Sequence, residues 1–281
     1  MNVQHHLARS SDASFTVKAA LGLGQARRPE TTFVALEHHI RFHREMRASE
    51  LIQVRCGIAG HTEKRLRLVQ ELHEARSGDL ATSFTAEVGH MHLRSRRLVP
   101  WTDEALHAIA KLQCPAPEPS KPRALTPETV LRNPSLAAAD GQGLIMSGLS
   151  AINPWDCDSN GHLNAQFYMA AFSDAQGHFW SHIGIPRQEQ SARGLGTATT
   201  EYRIAYLREL QAGELMLVRT GLVGYREKTV HFRHWVFEGE TGAPCAIAEG
   251  IALLFDKETR RAVPIPADVR TGLPAKLAAT I

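Results

Sequence analysis

The chain has 281 residues, of which 43% are hydrophobic and 22% charged, a composition that can bury a sizeable core and excludes disordered or fibrous architecture. Lys and Arg number 32 against 29 Asp and Glu, and a formal charge of +3 is too balanced for a protein that lives on nucleic acid or on an anionic membrane surface. Cys56, Cys114, Cys157 and Cys245 are widely scattered and form no CxxC pair, so neither a zinc centre nor a disulfide framework is expected, and the reducing cytoplasm is the expected location.

From the N-terminus, Met1-Asn-Val-Gln-His-His6 has no basic region followed by an apolar stretch of signal-peptide type. Residues 2–13 align with residues 164–175 at an offset of 162, which sets Met1 opposite Leu163. Residues 37–101 then lie over residues 201–265 at a constant offset of 164 without a gap, with 19 identities in 65 positions. Glu37/Glu201, Arg44/Arg208, Glu45/Glu209, Lys64/Lys228 and Pro100/Pro264 are among them. Chance does not produce such a match, so the chain is a duplicated domain. The first copy lacks whatever precedes its helix, and the expectation is that translation starts upstream and that Met1 is an internal methionine.

Cys114-Pro-Ala-Pro-Glu-Pro-Ser-Lys-Pro-Arg123 sustains neither a helix nor an interior strand and reads as a stiff linker. The expected division is a first domain over 1–113, a linker over 114–142 and a second domain over 143–281. In the second copy, Phe167, Phe172, Ala175, Phe179 and Ile183 share roughly one helical face, which predicts a helix from about Asn164 to Ile183, stopped by Gly184 and Pro186. Strand periodicity follows: Tyr202, Ile204 and Tyr206 alternate with polar or small neighbours, and Val230, Phe232 and Val236 share a face. Each copy is therefore α+β, a single helix followed by about four antiparallel strands. The longest nearly apolar stretch, Ala243 to Phe255, is broken by Glu249 and falls short of the roughly 18 residues of a membrane span.

Just before the second helix stands Asn153-Pro-Trp-Asp-Cys-Asp-Ser-Asn-Gly-His-Leu-Asn164. It puts carboxylates, an amide, an imidazole and a glycine in the turn feeding a helix N-terminus, where unpaired N–H groups and the dipole favour negative charge. A carbonyl resting on those amides would be polarised, and Asp158 could attack it or deprotonate a water. Asp158 and Asn160 equally suit an Asx turn or a cap.

DCDSNGHLNAQFYM resembles the segment that opens the central helix in hotdog-fold acyl thioesterases, both the 4-hydroxybenzoyl-CoA thioesterase-like branch and the acyl-carrier-protein thioesterases, which carry two hotdog units per chain. The resemblance implies two tandem hotdog domains, each a long helix wrapped by an antiparallel sheet, the first N-terminally incomplete and without an aspartate equivalent to Asp158. It implies Asp158 as nucleophile or base, with Asn160 and His162 as its partners. Gly161, Asn164 and Ala165 would bind substrate and oxyanion. The reaction implied is hydrolysis of an acyl-CoA, or acyl-carrier-protein, thioester without a cofactor or metal. Two rivals stay open: a hotdog dehydratase acting on hydroxyacyl thioesters, and a non-catalytic acyl-CoA-binding protein. Pairing of two chains into a homodimer also stays open.

Other residues read less sharply. Asp156 reads as a turn residue, Asn164 as a cap and Cys157 as a small buried side chain. Glu201 is a reserve catalytic candidate, though an ion-pairing role in both copies is the simpler reading. Arg203 and Arg208 are reserve binders of coenzyme A phosphates, beside Arg226 and Lys228. His39 and His43 stand four apart on a predicted strand, where that spacing does not gather ligands, and no metal site is expected.

Overall fold

The computed structural model describes residues 2–24, 30–129 and 133–278; Met1 and linker residues 130–132 lie outside it. The chain divides into two compact units, Met1–Arg123 and Ala124–Ile281. The first opens with helix α1 (Val3–Ala20), followed by strands β1 (Thr31–Phe42), β2 (Ile52–His61), β3 (Arg65–Glu74), β4 (Leu80–His92) and the short β5 (Arg97–Leu98), and then helix α2 (Asp103–Leu112). Its antiparallel strands run in the order β2-β3-β4-β1, with β5 on β4.

The second unit contains α3 (Leu136–Gly141), β6 (Ile145–Ala151), α4 (Ala165–His182), α5 (Arg187–Ala192), β7 (Leu195–Tyr206), β8 (Leu215–Tyr225), β9 (Thr229–Glu238), β10 (Pro244–Asp256), β11 (Ala262–Val263) and α6 (Ala267–Gly272). Its order is β7-β10-β9-β8-β6, with β11 on β10. The repeat read from sequence is thus a repeat of structure. β1, β3 and β4 have the same bounds as β7, β9 and β10 at an offset of 164, β8 begins one residue earlier than β2 does, and α1 and α4 have the same bounds at 162. The register is duplicated too: the irregularity at Ile58/Gly60 in the β2–β3 ladder recurs at Leu222/Gly224 in β8–β9. The change of offset is two residues in the connection after each helix, which in the second unit carries α5. Each unit is a hotdog: one long helix laid on a strongly curved antiparallel sheet. Among the described residues only the second has a strand, β6, ahead of its helix.

Phe172, Ala175, Phe179 and Ile183 of the predicted face are buried, while Phe167, in the first turn, is only half-buried. Phe172 packs on Tyr202 and Phe179 on Phe232, with ring centroids 6.2 and 5.4 Å apart. Each of the buried Phe and Ile side chains contributes about 1.5–3 kcal/mol, so this helix is anchored by its core face. A polar seam runs beneath the same helix. His234 lies stacked on Phe172 with centroids 4.9 Å apart, accepts or donates at 2.7 Å to Thr220 Oγ1, and sits 3.3 Å from Gln176 Nε2. Burial pushes its imidazole down to about 3. At the matching places of the first unit stand Gln70, Cys56 and Ser14, again joined by hydrogen bonds. Both units therefore pin helix to sheet by a polar contact at one position.

The linker is more structured than a stiff spacer. Pro119 O accepts from Arg41 Nη1 at 3.0 Å and from Ser83 Oγ at 2.8 Å. Further along, Ala124 and Leu125 donate their N–H groups to Glu201 at 2.9 and 3.2 Å, and Leu125 O accepts from Arg203 Nε at 2.8 Å. This proline-rich stretch is held by side chains of the sheets, a contact that local sequence does not announce. No helix among the described residues is long and apolar enough to cross a membrane, and the four cysteines are free thiols.

Candidate active site

Asn164 caps α4 as its residue type predicts. Its Oδ1 accepts from Gln166 N at 3.1 Å and its backbone oxygen from Phe167 N at 2.9 Å. Of the first-turn N–H groups, that of Ala165 has no such local acceptor among the described residues. It stands at the positive end of an 18-residue helix.

The loop ahead of the cap is a tight reversal. Asp158 N donates to His162 O at 2.7 Å, Gly161 N donates to Asp158 O at 3.0 Å, and Cys157 bridges Leu163. Gly161 turns the corner at φ +79°, where a side chain would strain the backbone, although nothing crowds its α-carbon. The carboxylate of Asp158 faces this loop: Oδ1 accepts from Asn160 N at 2.8 Å and from His162 N at 3.3 Å, and Oδ2 accepts from Asn160 Nδ2 at 3.3 Å. A carboxylate has about four lone-pair sites, and three are used, so the group is aimed and still has one free. Asn160 Oδ1 is buried without a partner, so the amide is committed to Asp158 at the expense of its own oxygen.

His162 is brought against a residue that sequence reasoning did not single out for chemistry. Its Nε2 lies 3.3 Å from Glu209 Oε2, with the imidazole largely buried and Glu209 at the surface. Glu209 belongs to the loop after β7, which also pairs with the reversal: Leu163 N donates to Leu210 O at 2.7 Å, and His162 bridges Gln211. The signal available was the repeat itself, since Glu45 and Glu209 coincide in the two copies.

Arg208 braces that loop. Its Nη2 donates to Glu214 Oε1 at 2.6 Å, and Gln211 N donates to Glu214 Oε2 at 2.8 Å. Arg44 and Glu50 repeat the pair at 2.6 Å in the first unit, where Arg47 N takes the part of Gln211 N. Asp156 is likewise spent on its turn, accepting from Asn153 N at 2.9 Å and Nδ2 at 3.2 Å. Cys157 is half-buried, and burial pushes its thiol up. Glu201 and Arg203 are buried and hold residues 124–125, as described above. The structure therefore gathers Asp158, Asn160, Gly161, His162, Asn164 and Ala165 in one loop and helix start, adds Glu209, and places Glu201, Arg203 and Arg208 in other contacts. Among the described residues no group of three or more His, Cys, Asp or Glu side chains is placed to hold a metal.

Comparison with known proteins bears on what this loop does. The family model described as the thioesterase-like superfamily matches residues 1–109 and 152–273. A betainyl-CoA thioesterase of Pseudomonas aeruginosa is 32% identical over 112 residues, covering 40% of this chain and 70% of that one. An L-carnitine dehydrogenase/betainyl-CoA thioesterase of Agrobacterium fabrum is 32% identical over 115 residues, 41% of this chain but only 23% of its own length. Two solved structures share the fold over nearly the whole chain. One is a putative oleoyl thioesterase from Lactobacillus plantarum, with TM-score 0.69, 14% identity and coverage of 94% of this chain and 90% of that one. The other is a 12:0-ACP thioesterase from Umbellularia californica, with TM-score 0.64, 16% identity and 91% coverage of each chain.

Proposed function

The chain belongs to the thioesterase-like superfamily, and from that premise we propose that it hydrolyses an acyl-CoA thioester to the free acid and the thiol, with Asp158 as the reacting carboxylate. The observation that carries this reading is the aim of Asp158: a carboxylate held by three N–H donors with one lone-pair site free, at the start of a helix whose Ala165 N–H lacks a local acceptor.

The thioester carbonyl oxygen rests on the Ala165 N–H, where the helix dipole stabilises the charge that develops on it in the tetrahedral transition state. Asp158 uses its free lone pair either on a proton of the attacking water, so that collapse expels the thiolate and leaves the acid, or on the carbonyl carbon, so that the thiolate leaves an acyl–Asp158 anhydride which water then hydrolyses to the acid and the free carboxylate. Asn160 keeps the carboxylate from rotating. His162, held by Glu209, fixes the loop through its own N–H on Asp158 and stands ready to hand a proton to the departing sulfur. Gly161 keeps the approach open because it has no side chain. The names of the relatives favour coenzyme A as carrier, and the free cysteines are in keeping with a cytoplasmic enzyme.

A thiol-release assay across acyl-CoA and acyl-carrier-protein thioesters tests the proposal. Release of free thiol, lost in Asp158→Asn, is the expected result; an enoyl product without thiol, or binding without turnover, would overturn it.

A further inference from the structure

Trp155 is 76% exposed, the highest fraction among the large apolar side chains of the described residues. Tryptophan is well buried on average, and this one leaves a large flat apolar face, with an N–H at its edge, open to a ligand. Its backbone is fixed: Asp156 N donates to Asn153 O at 3.0 Å, Cys157 N to Pro154 O at 3.3 Å, and the Asp156 carboxylate ties back to Asn153. Pro154, its neighbour, has φ locked by its ring. The backbone that carries the indole is therefore fixed three residues ahead of Asp158.

That spacing selects the part of the substrate. Three virtual bonds limit the α-carbons of Trp155 and Asp158 to about 11 Å, and the closed turn brings them nearer. The arm joining a carrier's sulfur to its phosphate runs over about a dozen bonds, ~15 Å when extended. An indole beside the reacting carbonyl and facing solvent thus lies along this arm. At that distance it falls short of the nucleotide, and its exposure sets it apart from an apolar acyl group, which needs shelter from water. The arm's methylenes and geminal methyl groups suit the flat apolar face, and its amide carbonyls suit the indole N–H.

Resting on the thioesterase reading, we propose that Trp155 is the docking platform for the pantetheine arm, the element that coenzyme A and acyl carrier protein share. Covering one indole face removes about 40–80 Å² of apolar surface from water, equivalent to about a fivefold to thirtyfold change in affinity.

The test compares wild type, Trp155→Ala and Trp155→Phe on one acyl group presented as its CoA, pantetheine, carrier-protein and N-acetylcysteamine thioesters, the last ending at the first amide. In Trp155→Ala, KM rises about fivefold to thirtyfold for the three full-arm substrates, kcat holds, and the cysteamine thioester changes less than twofold; Trp155→Phe recovers most of the loss. Because the side chain is exposed, the melting temperature stays put. Unchanged KM on every substrate overturns the proposal, as does a loss confined to the CoA thioester, which would mean a nucleotide contact. An equal loss on the cysteamine thioester overturns it too. A wild-type protein that cleaves none of the four refutes the thioesterase reading and this inference together, whereas those Trp155 results on an active wild type refute this inference alone.

Discussion

Replacing Asp158 by asparagine changes one atom and separates two roles for the residue. Oδ1 can go on accepting from Asn160 N and His162 N, now 2.8 and 3.3 Å away, so the reversal keeps its main braces. The new Nδ2 faces Asn160 Nδ2 where a 3.3 Å hydrogen bond existed, donor against donor. One weak hydrogen bond lost in a half-buried loop costs about 1 kcal/mol, or about 2–4 °C in melting temperature for a chain of this size. Turnover responds on another scale, since an amide neither attacks a carbonyl nor takes a proton from water, and the loss expected is about a hundredfold to ten-thousandfold in kcat. The assay is thiol release from the best acyl-CoA, with a thermal melt on the same samples. If Asp158 only braces its turn, the two readouts fall together and modestly. A variant within threefold of wild-type kcat would refute the assignment.

Glu209→Gln keeps the shape of the His162 partner but removes its charge, so kcat should fall about tenfold to a hundredfold with KM nearly unchanged and the acid limb of the pH profile displaced; a flat comparison would remove Glu209 from the site. Glu201→Ala strips two N–H acceptors from residues 124–125 in a buried setting, so urea unfolding should show a loss of about 1–3 kcal/mol with kcat at 25 °C retained; a selective loss of kcat would return Glu201 to the catalytic candidates. His234 gives a pH dependence: its folded imidazole is pushed down to about 3, while the unfolded side chain binds a proton below about 6.5. Between those values the unfolded state holds the extra proton, so stability falls with pH at up to about 1.4 kcal/mol per unit. His234→Gln, copying Gln70, should lessen the loss seen between pH 7 and pH 4.5 in urea titrations. At Gly250 an added β-carbon would meet the fully buried Phe232 ring, so Gly250→Ala should cost about 1–3 kcal/mol by the same measurement.

Much of this architecture was legible in the chain because its determinants are local or repeated. The helix Ala165–His182 follows from a cap, an apolar face and the Gly184–Pro186 stop, each set by neighbours within a turn. The duplication needed only an alignment of the chain with itself, and it carried strand bounds and even a ladder irregularity from one copy to the other. Asp158, Asn160, Gly161 and His162 were visible as a group because one loop of consecutive residues holds them.

What the fold alone decided depends on contacts between distant segments. Glu209 reaches His162 across 47 positions of sequence because the loop after β7 hydrogen-bonds to Leu163, a pairing that no periodicity encodes. Glu201 and Arg203 look like free functional charges on a strand, yet the chain folds residues 124–125 over them and uses their polar atoms there. The polar seam beneath each helix is equally invisible in sequence, since Gln70 and His234 share neither shape nor ring chemistry and are equivalent only as partners of a helix. Local physics writes elements and caps into the chain; which polar groups are consumed in holding those elements together is settled when they pack, because a buried hydrogen-bonding group must find its partner wherever the fold puts one.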